Sequence, residues 1–421
     1  MKKQTLHNTI FTGFAPNVTA EDVRIACSYL FFPWKWSNLR TGVFRTRADS
    51  HIATYLGVSY AKTVDSGRSA ILLALKAFDL KPGDEVLVPA YTCVVVINAI
   101  TAIGAVPVYV DIQKNCTIDV RDAEKKISSK TKVLFLQHTF GIPVDIEACL
   151  ALAKKYHLCT LEDCAHTFGA RYKNTGYLGT VADIGMYSFG SDKSMSCGRG
   201  GAIVTNNATY AGRLTGFIDT LPKMPIKDVF QHLWHFPLFY VGKKTYGWGI
   251  GKILLWLGKN LHIMNRIITT EEKQGMFPKQ YPAQLPNALA QILLSQLGTI
   301  DEYNRKRKEA ANFYTTHIPT AIQLPTQSDM PLLRYPIFVQ NPKALQHLAK
   351  QRRIFLGDWY QTPIAPHDID TTKTLYQKGT CPTAEAIAQE SVNLPLNRYL
   401  THEEQQLIVA CINSYLEKNN G

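Results

Sequence analysis

The sequence lacks the features that mark several special classes of protein. Its nine cysteines are odd in number, scattered and never spaced as C-x-x-C, so we expect reduced thiols and no disulfide framework. No run of about 18 apolar residues is present, and the first residues form no continuous apolar stretch. The sequence therefore predicts neither a membrane-spanning helix nor a signal peptide. Together these absences favour a cytoplasmic protein.

Acidic side chains are scarce relative to basic ones. The chain has 46 Lys and Arg against 33 Asp and Glu, which gives a formal net charge of +13. This excess favours anionic partners, such as phosphorylated substrates, nucleotides or an acidic membrane surface. No Lys/Arg block resembles a nucleic-acid-binding arm, so we expect no nucleic-acid partner. No zinc-finger spacing occurs either, and we assign no residue to a metal site.

The length and composition are those of a large globular protein. Hydrophobic residues make up 46% and charged residues 19% of the 421 residues, which suits a large domain with a smaller second one. We divide the chain into an aromatic-rich N-terminal segment (1–48), a large domain (49–221), an apolar and basic insertion (222–275) and a C-terminal part (276–421). Residues 1–45 are expected to be irregular and to pack on the main body or on a partner subunit.

Strand-like and helix-like apolar periods alternate across the large domain. Strands are predicted at 85–88, 105–110, 132–137 and 158–161, and helices at 49–57, 69–78, 93–101, 119–127 and 146–156. This alternation predicts an α/β fold with a mostly parallel sheet covered by helices, in which ligands lie at the carboxyl ends of the strands. Beyond the insertion, a smaller α+β part is predicted, with helices at 288–314, 342–352 and 401–417 and a strand at 335–339.

Two polar residues lie where such a sheet would bind a ligand. Asp163 ends an apolar strand in "LEDCAH", and Lys193 lies in a Gly/Ser-rich turn after the next strand, in "SFGSDKSM". A carboxylate there can keep a pyridinium nitrogen protonated, and a lysine can form a Schiff base with an aldehyde. Pyridoxal phosphate needs both groups. Alone, each residue would more often be a helix cap or a surface lysine, so the prediction depends on the pair.

Longer stretches around these two residues resemble a known family, the DegT/StrS-type sugar aminotransferases. These belong to the fold type I, aspartate-aminotransferase-like enzymes that use pyridoxal phosphate. The similar stretches are "SGRSAILLAL" (66–75), "PGDEVLVPAYTCVVVINAI" (82–100), "GAVPVYVDI" (104–112), "LEDCAHTFGA" (161–170), "DIGMYSFGSDKSMSCGRGGAIVTNN" (183–207) and, more weakly, "VNLPLNRYLTHEEQQLI" (392–408). The combination of a strand-end Asp, a lysine turn and a following Gly-Gly strand is a specific signal.

The resemblance implies a role for each matching residue. Lys193 would carry the cofactor as an imine and move the proton, and Asp163 would pair with the pyridinium nitrogen. His166 would lie near the phenolic oxygen and Ala165 against one face of the ring. Phosphate binding would fall to a strand serine and to a turn at a helix N-terminus, namely Ser188, Gly67, Arg68 and Ser69. The alternatives are a buried core histidine, an ordinary strand serine and a plain helix start.

Three positions depart from the family pattern. Ser66-Gly67-Arg68 stands where the family usually has Asn-Gly-Thr, and Cys93 stands where an aromatic residue usually stacks on the ring. Residues 282–285 replace the stretch from which the partner subunit usually lends an Asn to the phosphate. We expect Arg68 to take over that contact, because a guanidinium can bind phosphate through two hydrogen bonds. The alternative is an arginine that points to solvent.

The resemblance implies an aminotransferase of nucleotide-sugar biosynthesis. It would move an amino group from an amino acid, with glutamate expected, to a keto-sugar nucleotide or related anionic keto substrate, and it would be a homodimer. A related dehydratase would have His in place of Lys193. A non-catalytic regulator would have lost Lys193 or Asp163.

The insertion at 222–275 leaves two readings open. Its aromatic and aliphatic residues beside lysines suit a peripheral contact with the inner membrane face, and a lipid-linked substrate would then be plausible. Alternatively, it packs on its own subunit or at a dimer interface.

Overall fold

Strands and helices alternate through the first half of the chain, as the apolar periods predict. The computed structural model describes residues 9–13, 17–173, 176–261, 263–264, 267–324 and 329–419. Its strands are β1 (Ile10–Phe11), β2 (Tyr60–Val64), β3 (Glu85–Pro89), β4 (Thr92–Cys93), β5 (Val106–Val110), β6 (Thr131–Gln137), β7 (Cys159–Asp163), β8 (Ile184–Ser188), β9 (Gly201–Thr205), β10 (Tyr335–Phe338), β11 (Ile354–Phe355), β12 (Ile364–Ala365) and β13 (Ser391–Leu394).

Helices connect and cover these strands. They are α1 (Ala20–Phe31), α2 (Val43–Leu56), α3 (Gly67–Ala77), α4 (Val94–Ala102), α5 (Val120–Lys125), α6 (Ile146–Tyr156), α7 (Ala208–Asp219), α8 (Ile226–Lys244), α9 (Ile250–Asn260), α10 (Thr270–Lys273), α11 (Asn287–Leu297), α12 (Ile300–His317), α13 (Pro342–Gln351), α14 (Pro382–Glu390) and α15 (His402–Asn419).

A seven-stranded sheet forms the centre of the large domain. Its order is β2-β9-β8-β7-β6-β3-β5, and only β9 runs against its neighbours. Alternate residues of β6 enter different apolar clusters: Val133 and Phe135 face α3 and α4, whereas Leu134 and Leu136 face α2, α6 and α11. This period of two buries both faces of the sheet. The predicted mostly parallel sheet covered by helices is confirmed.

The C-terminal part is a smaller α+β unit, as predicted. Strand β10 pairs antiparallel with β13, and α13 packs on α15 beside them. The single helix expected at 288–314 is wrong, because α11 ends at Leu297 and α12 begins at Ile300. Gly298 favours the break, and Asp301 and Glu302 favour a new helix N-terminus.

The expectation that residues 1–45 are irregular is also wrong within the described residues. Helix α1 begins at a capping box, in which Thr19 and Asp22 each bond the other's backbone N–H. Its apolar face, with Ile25 and Tyr29, is buried in the core shared with α11. Strand β1 pairs in parallel with β11 of the C-terminal part. The capping-box spacing was a readable signal of this helix. Residues 1–8 lie outside the described residues.

Within the insertion, the two longer helices, α8 and α9, pack against each other. Gly249 adopts a left-handed conformation (φ +84°) and separates them. Gly251 lies inside α9, where a Cβ atom would come within 2.0 Å of the Gly242 carbonyl oxygen of α8. Gly249 therefore ends the run of helix between them, and Gly251 allows the two helices to touch.

Candidate active site

One cavity opens at the carboxyl ends of β6, β7 and β8. Eight of the nine residues proposed from the sequence line it: Gly67, Arg68, Cys93, Asp163, Ala165, His166, Ser188 and Lys193. The ninth, Ser69, lies on the buried side of α3, where its Oγ is 2.9 Å from Ser66 Oγ. The fold thus brings together residues separated by more than 120 positions.

Lys193 lies among three polar or aromatic groups. Its Nζ is 3.2 Å from His166 Nε2, 3.5 Å from Asp192 Oδ2 and 4.9 Å from the centre of the Trp359 ring. The side chain of Asn17 donates to the carbonyl oxygens of Lys193 and Ser194. The N-terminal segment therefore fixes the backbone of the lysine loop.

His166 is held in a defined tautomer. Its Nδ1 accepts a hydrogen bond from the Phe140 N–H at 3.0 Å, so in the neutral ring the proton is assigned to Nε2. Burial, with Lys193 and Arg334 nearby, holds the pKa of His166 well below its usual range. The neutral ring therefore points an N–H group into the cavity beside Lys193, where an acceptor oxygen or nitrogen can bind.

Asp163 presents a buried carboxylate at the end of β7. Its Oδ1 accepts from the Ala165 N–H at 2.9 Å. Burial raises the pKa of Asp163, while Lys193 acts in the opposite direction. A cationic group bound beside this carboxylate would offset the cost of burying its charge.

A hydrogen-bonded group supports β7 behind Asp163. Atoms of His138, Glu162 and Cys164 lie within 4.8 Å of one another. His138 Nδ1 accepts from the Val144 N–H, so its Nε2 donates to Glu162 Oε1, at 2.9 Å. Glu162 also accepts from the Gly179 N–H at 2.5 Å. These bonds occupy the ligand atoms, and we read the group as structural support for the strand.

The N-terminus of α3 forms another part of the cavity lining. Ser66 caps the helix through the Ser69 N–H, and Gly67 begins it. A Cβ atom at Gly67 would lie 2.8 Å from Ser188 Cβ, so only glycine lets α3 approach β8 this closely. The first N–H groups of a helix lack intrahelical acceptors and attract anions.

Arg68 has an ion-pair partner that the sequence did not predict. Its guanidinium forms an ion pair with Glu272 of α10 and donates to the Ile267 carbonyl oxygen at 2.8 Å. It does not point freely into solvent, and Glu272 already balances its charge. Gln284, in the stretch expected to face the partner subunit's phosphate site, instead donates to the Pro222 and Leu221 carbonyl oxygens of its own chain.

Several cavity residues were missed by the sequence reasoning. They come from the loop before β9, from the insertion and from the C-terminal part: Arg199, Gln231, His232, His235, Ile267, Ile268, Asp358, Trp359 and Tyr360. Trp359 supplies an aromatic ring beside Lys193, in a cavity where Cys93 stands at the usual aromatic position. No short motif links these segments to the lysine turn, so the sequence offered no signal for them.

The ends of the cavity suit different charges, and this fits the cofactor that the motifs suggest. A buried carboxylate lies at the Asp163 end, and Lys193 can reach an aldehyde in the cavity. A helix N-terminus, Ser188 and the buried Arg199 also line it, and Arg199 Nε and one Nη lack hydrogen-bond partners among the described residues. The residues therefore match a ring with a cationic nitrogen, an aldehyde and a phosphate.

This fold and this site define a fold type I enzyme of the pyridoxal-phosphate class. The sequence profile of the DegT/DnrJ/EryC1/StrS aminotransferase family matches residues 35–227 and 267–413. The chain belongs to this family of aminotransferases, and the family implies pyridoxal phosphate as the cofactor. The two matched ranges leave out residues 228–266, which hold most of α8 and all of α9.

Individual proteins show the same likeness along nearly the whole chain. A GDP-perosamine synthase of Escherichia coli O157:H7 is 28% identical over 96% of this chain and 97% of its own length. A dTDP-3-amino-3,6-dideoxy-alpha-D-galactopyranose transaminase of Aneurinibacillus thermoaerophilus is 31% identical over 86% and 87%. The PLP form of a putative sugar aminotransferase from Streptococcus pneumoniae superposes with a TM-score of 0.73, at 20% identity, over 98% and 99%.

Proposed function

We propose that this protein transfers an amino group from an amino acid, with glutamate expected, to the keto carbon of a nucleotide-linked sugar. The observation that carries the proposal is the convergence of Lys193, Asp163 and His166 in one cavity at the strand ends. The names of the two relatives support the class of acceptor, and the net charge of +13 suits an anionic one.

Each of the three residues has a distinct task. When bound, pyridoxal phosphate supplies an aldehyde that holds the amine and a ring that accepts electron density from the substrate carbon. Lys193 Nζ would bind the aldehyde and carry a proton to or from the substrate carbon. Asp163 would keep the ring nitrogen protonated. His166 would donate its Nε2 hydrogen to the phenolic oxygen and orient the ring.

The direct test is chemical attachment of the cofactor. The purified protein should absorb in the visible range, and borohydride treatment should fix the cofactor on Lys193, as located by peptide mapping. An adduct on another lysine, or none, contradicts the assignment. The acceptor is then found by incubating the holoenzyme with glutamate and GDP-, dTDP- and UDP-linked keto sugars, followed by mass spectrometry. Transfer to free keto acids alone would contradict the sugar substrate.

The residues of this cavity disfavour two other functions that the sequence left open. A related dehydratase would need His at position 193, where this chain has Lys. A regulator without catalysis would have no use for both Lys193 and Asp163 in one buried cavity. Turnover of any amino donor by the holoenzyme, seen as a shift of its visible absorbance, distinguishes the aminotransferase from a regulator.

A second copy of the chain is the partner we propose for an aromatic surface beside the insertion. Phe31, Phe32, Trp34 and Trp36 are exposed, although Phe31 and Trp36 also touch rings of α8. Residues 31–39 contain no carboxylate and one basic side chain, Lys35, and an aromatic surface with so little charge suits a two-fold contact between copies. Sedimentation should show a dimer, and Trp34→Ser with Phe32→Ser should weaken it. A fully active monomer would contradict the proposal.

Helix α9 carries a different surface, for which we propose an anionic membrane. Ile250, Ile253, Trp256 and Leu257 are exposed along one side of the helix, and Lys252 and Lys259 flank them. The opposite side, with Gly251 and Gly258, packs on α8 and on Met264. An exposed apolar stripe bordered by lysines is typical of helices that lie in the headgroup region.

No helix in the described ranges combines the length and apolar character needed to cross a bilayer, so the contact would be peripheral. The protein should sediment with vesicles of phosphatidylglycerol and phosphatidylcholine at low salt and less at high salt. If it stays in the supernatant at both, α9 is a packing or assembly element, and a lipid-linked acceptor loses its support.

A further inference from the structure

Arg199, in the loop between β8 and β9, is a buried guanidinium with two nitrogen atoms that lack hydrogen-bond partners among the described residues. It is 6% exposed, and its Nε and Nη2 are shielded from solvent and bond to no acceptor in the part of the chain that the structure describes. Its guanidinium carbon lies 4.3 Å from the centre of the Tyr281 ring. Burying an unpaired ion costs several kcal/mol, so this arrangement calls for a bound anion.

The position of Arg199 defines where that anion would lie. Arg199 lines the same cavity as Lys193, and Gly200 and Gly201 follow it directly. A Cβ atom at Gly201 would lie 2.5 Å from the Ser66 carbonyl oxygen and 2.8 Å from the Gly67 nitrogen. The loop that carries Arg199 therefore abuts the first residue of α3. Because α3 has 11 residues, its N-terminus offers unpaired N–H groups and a favourable dipole.

We propose that Arg199 binds the phosphate group of the cofactor, together with Ser188 and the N-terminus of α3. The proposal rests on the proposed function, since it concerns the cofactor of that same site. It replaces the expectation that Arg68 binds this phosphate. Arg68 forms an ion pair with Glu272, whereas no carboxylate of the described residues lies within ion-pair distance of Arg199. The phosphate would then be held by a cation from the same chain that supplies Lys193.

A nearby carboxyl group offers a competing role for Arg199. Asp65 is fully buried, burial raises its pKa to about 6, and Arg199 is close enough to oppose that rise. In that role Arg199 would serve only as a counter-charge for Asp65. A purely structural role would make Arg199 important for folding and irrelevant to the phosphate, and this difference can be measured.

The experiment compares two ligands that differ only in the phosphate. The apo form of the full chain is titrated with pyridoxal phosphate and with pyridoxal, for the wild type, Arg199→Gln and Arg199→Lys. The matched control is Arg307→Gln, because Arg307 is also buried with an unpaired Nε but lies away from this cavity. Thermal unfolding with and without inorganic phosphate is recorded for each variant.

Arg199→Gln should weaken pyridoxal phosphate about 10- to 100-fold, as expected for loss of a charge-assisted contact, and leave pyridoxal unchanged. Arg199→Lys should recover part of the loss, and inorganic phosphate should stabilise the wild type more than Arg199→Gln. Equal weakening of both ligands, or a lower melting temperature with unchanged affinity, overturns the proposal. A wild type that binds neither ligand and gives no borohydride adduct would instead refute the proposed function.

Discussion

The cavity has two walls of different origin. One wall is built from the strand ends and strand-to-helix turns of the large domain, and it contains Asp163, His166, Ser188 and Lys193. The other wall comes from the insertion and the C-terminal part, and it contains His235 and Trp359. The sheet wall carries the groups that we propose act on a cofactor-bound amine. The opposite wall lies outside the local motifs, so substitutions there can change the shape of the cavity and leave these groups in place.

The largest effect should come from the sheet wall, at Lys193. Lys193→Ala should lower turnover at least about 1,000-fold, because it removes both the cofactor attachment and the proton carrier, and proton transfer alone contributes about 10²–10⁴-fold. The variant should still bind the cofactor without a covalent bond. Assay of the holoenzyme and mass spectrometry after borohydride check this. Substantial remaining activity would move the chemistry to another residue.

Asp163→Asn should have the next largest effect. The neutral amide cannot keep the ring nitrogen protonated, and we expect turnover to fall about 100- to 1,000-fold, which is about 2.7–4 kcal/mol of barrier. Cofactor content and melting temperature should change little. Asp163→Glu serves as the control that keeps the charge. Near-normal turnover in Asp163→Asn would exclude this carboxylate from the chemical step.

The ion pair between Arg68 and Glu272 links the two walls, and its loss should destabilise the fold. The side chains of Arg68 and Glu272 are 11% and 1% exposed. Glu272→Gln should lower the free energy of unfolding by about 2–3 kcal/mol, because Arg68 keeps a buried charge without a full partner. The control is Glu309→Gln in the exposed pair with Arg305, where the loss should be under about 0.5 kcal/mol. If denaturant unfolding shows equal losses for the two variants, the ion pair between Arg68 and Glu272 stabilises the fold no more than an exposed pair does.

His235, on the opposite wall, should make stability depend on pH. Burial lowers the pKa of His235 to about 4, against about 6.5 in the unfolded chain. Between these values the unfolded state binds more protons, so the unfolding free energy falls as pH falls, by about 1.4 kcal/mol per unit.

The measurement for His235 is a difference between two proteins. Buried Asp22 and Asp65 have raised pKa values of about 6 and give the opposite slope, so the wild-type curve alone is not diagnostic. His235→Phe keeps a ring against Phe239 and cannot titrate. Relative to this variant, the wild type should lose about 2 kcal/mol between pH 7 and pH 5. Parallel curves would mean that His235 is protonated in the native state.

The smallest effect should come from the outer surface of the insertion. Ile253→Ser with Trp256→Ser should weaken vesicle binding about tenfold, from a loss of roughly 1–2 kcal/mol of apolar burial, and leave turnover of a soluble acceptor unchanged. Leu375→Ser, which removes an exposed apolar side chain far from α9 in sequence, is the control. Unchanged vesicle binding in the double variant would locate the contact elsewhere.

The residues of the sheet wall could be predicted because they lie in short sequence motifs next to the strands. Asp163 and Lys193 are 30 residues apart and follow consecutive strands, β7 and β8, so strand periodicity alone places both at one sheet edge. Alternation of apolar residues likewise predicted β3, β5, β6, β7 and β10 to within a few residues. The helix at 20–31 was missed although its capping box is local, because the aromatic residues around it were read as irregular packing.

The opposite wall could not be predicted, because its contacts join distant parts of the chain. Trp359 meets Lys193 across 166 positions, and the partner of Arg68 lies 204 positions away. Neither contact follows a period or a spacing. Arg68 was expected to bind the phosphate because guanidinium groups bind phosphate, but the sequence does not show its ion pair with Glu272. Arg199 is a candidate only because its guanidinium is buried and two of its nitrogen atoms lack hydrogen-bond partners among the described residues.

The sequence by itself determined the fold class and the family, and it singled out the lysine and aspartate that we propose serve the cofactor. These depend on local periodicity and on residues held by the ends of neighbouring strands, where position along the chain nearly gives position in space. Only the tertiary structure decided which cations are already neutralised, which aromatic ring lies beside the lysine, and which tautomer His166 adopts. Those properties depend on burial and on distances between segments far apart in the chain, where electrostatic energies change steeply with a few ångströms.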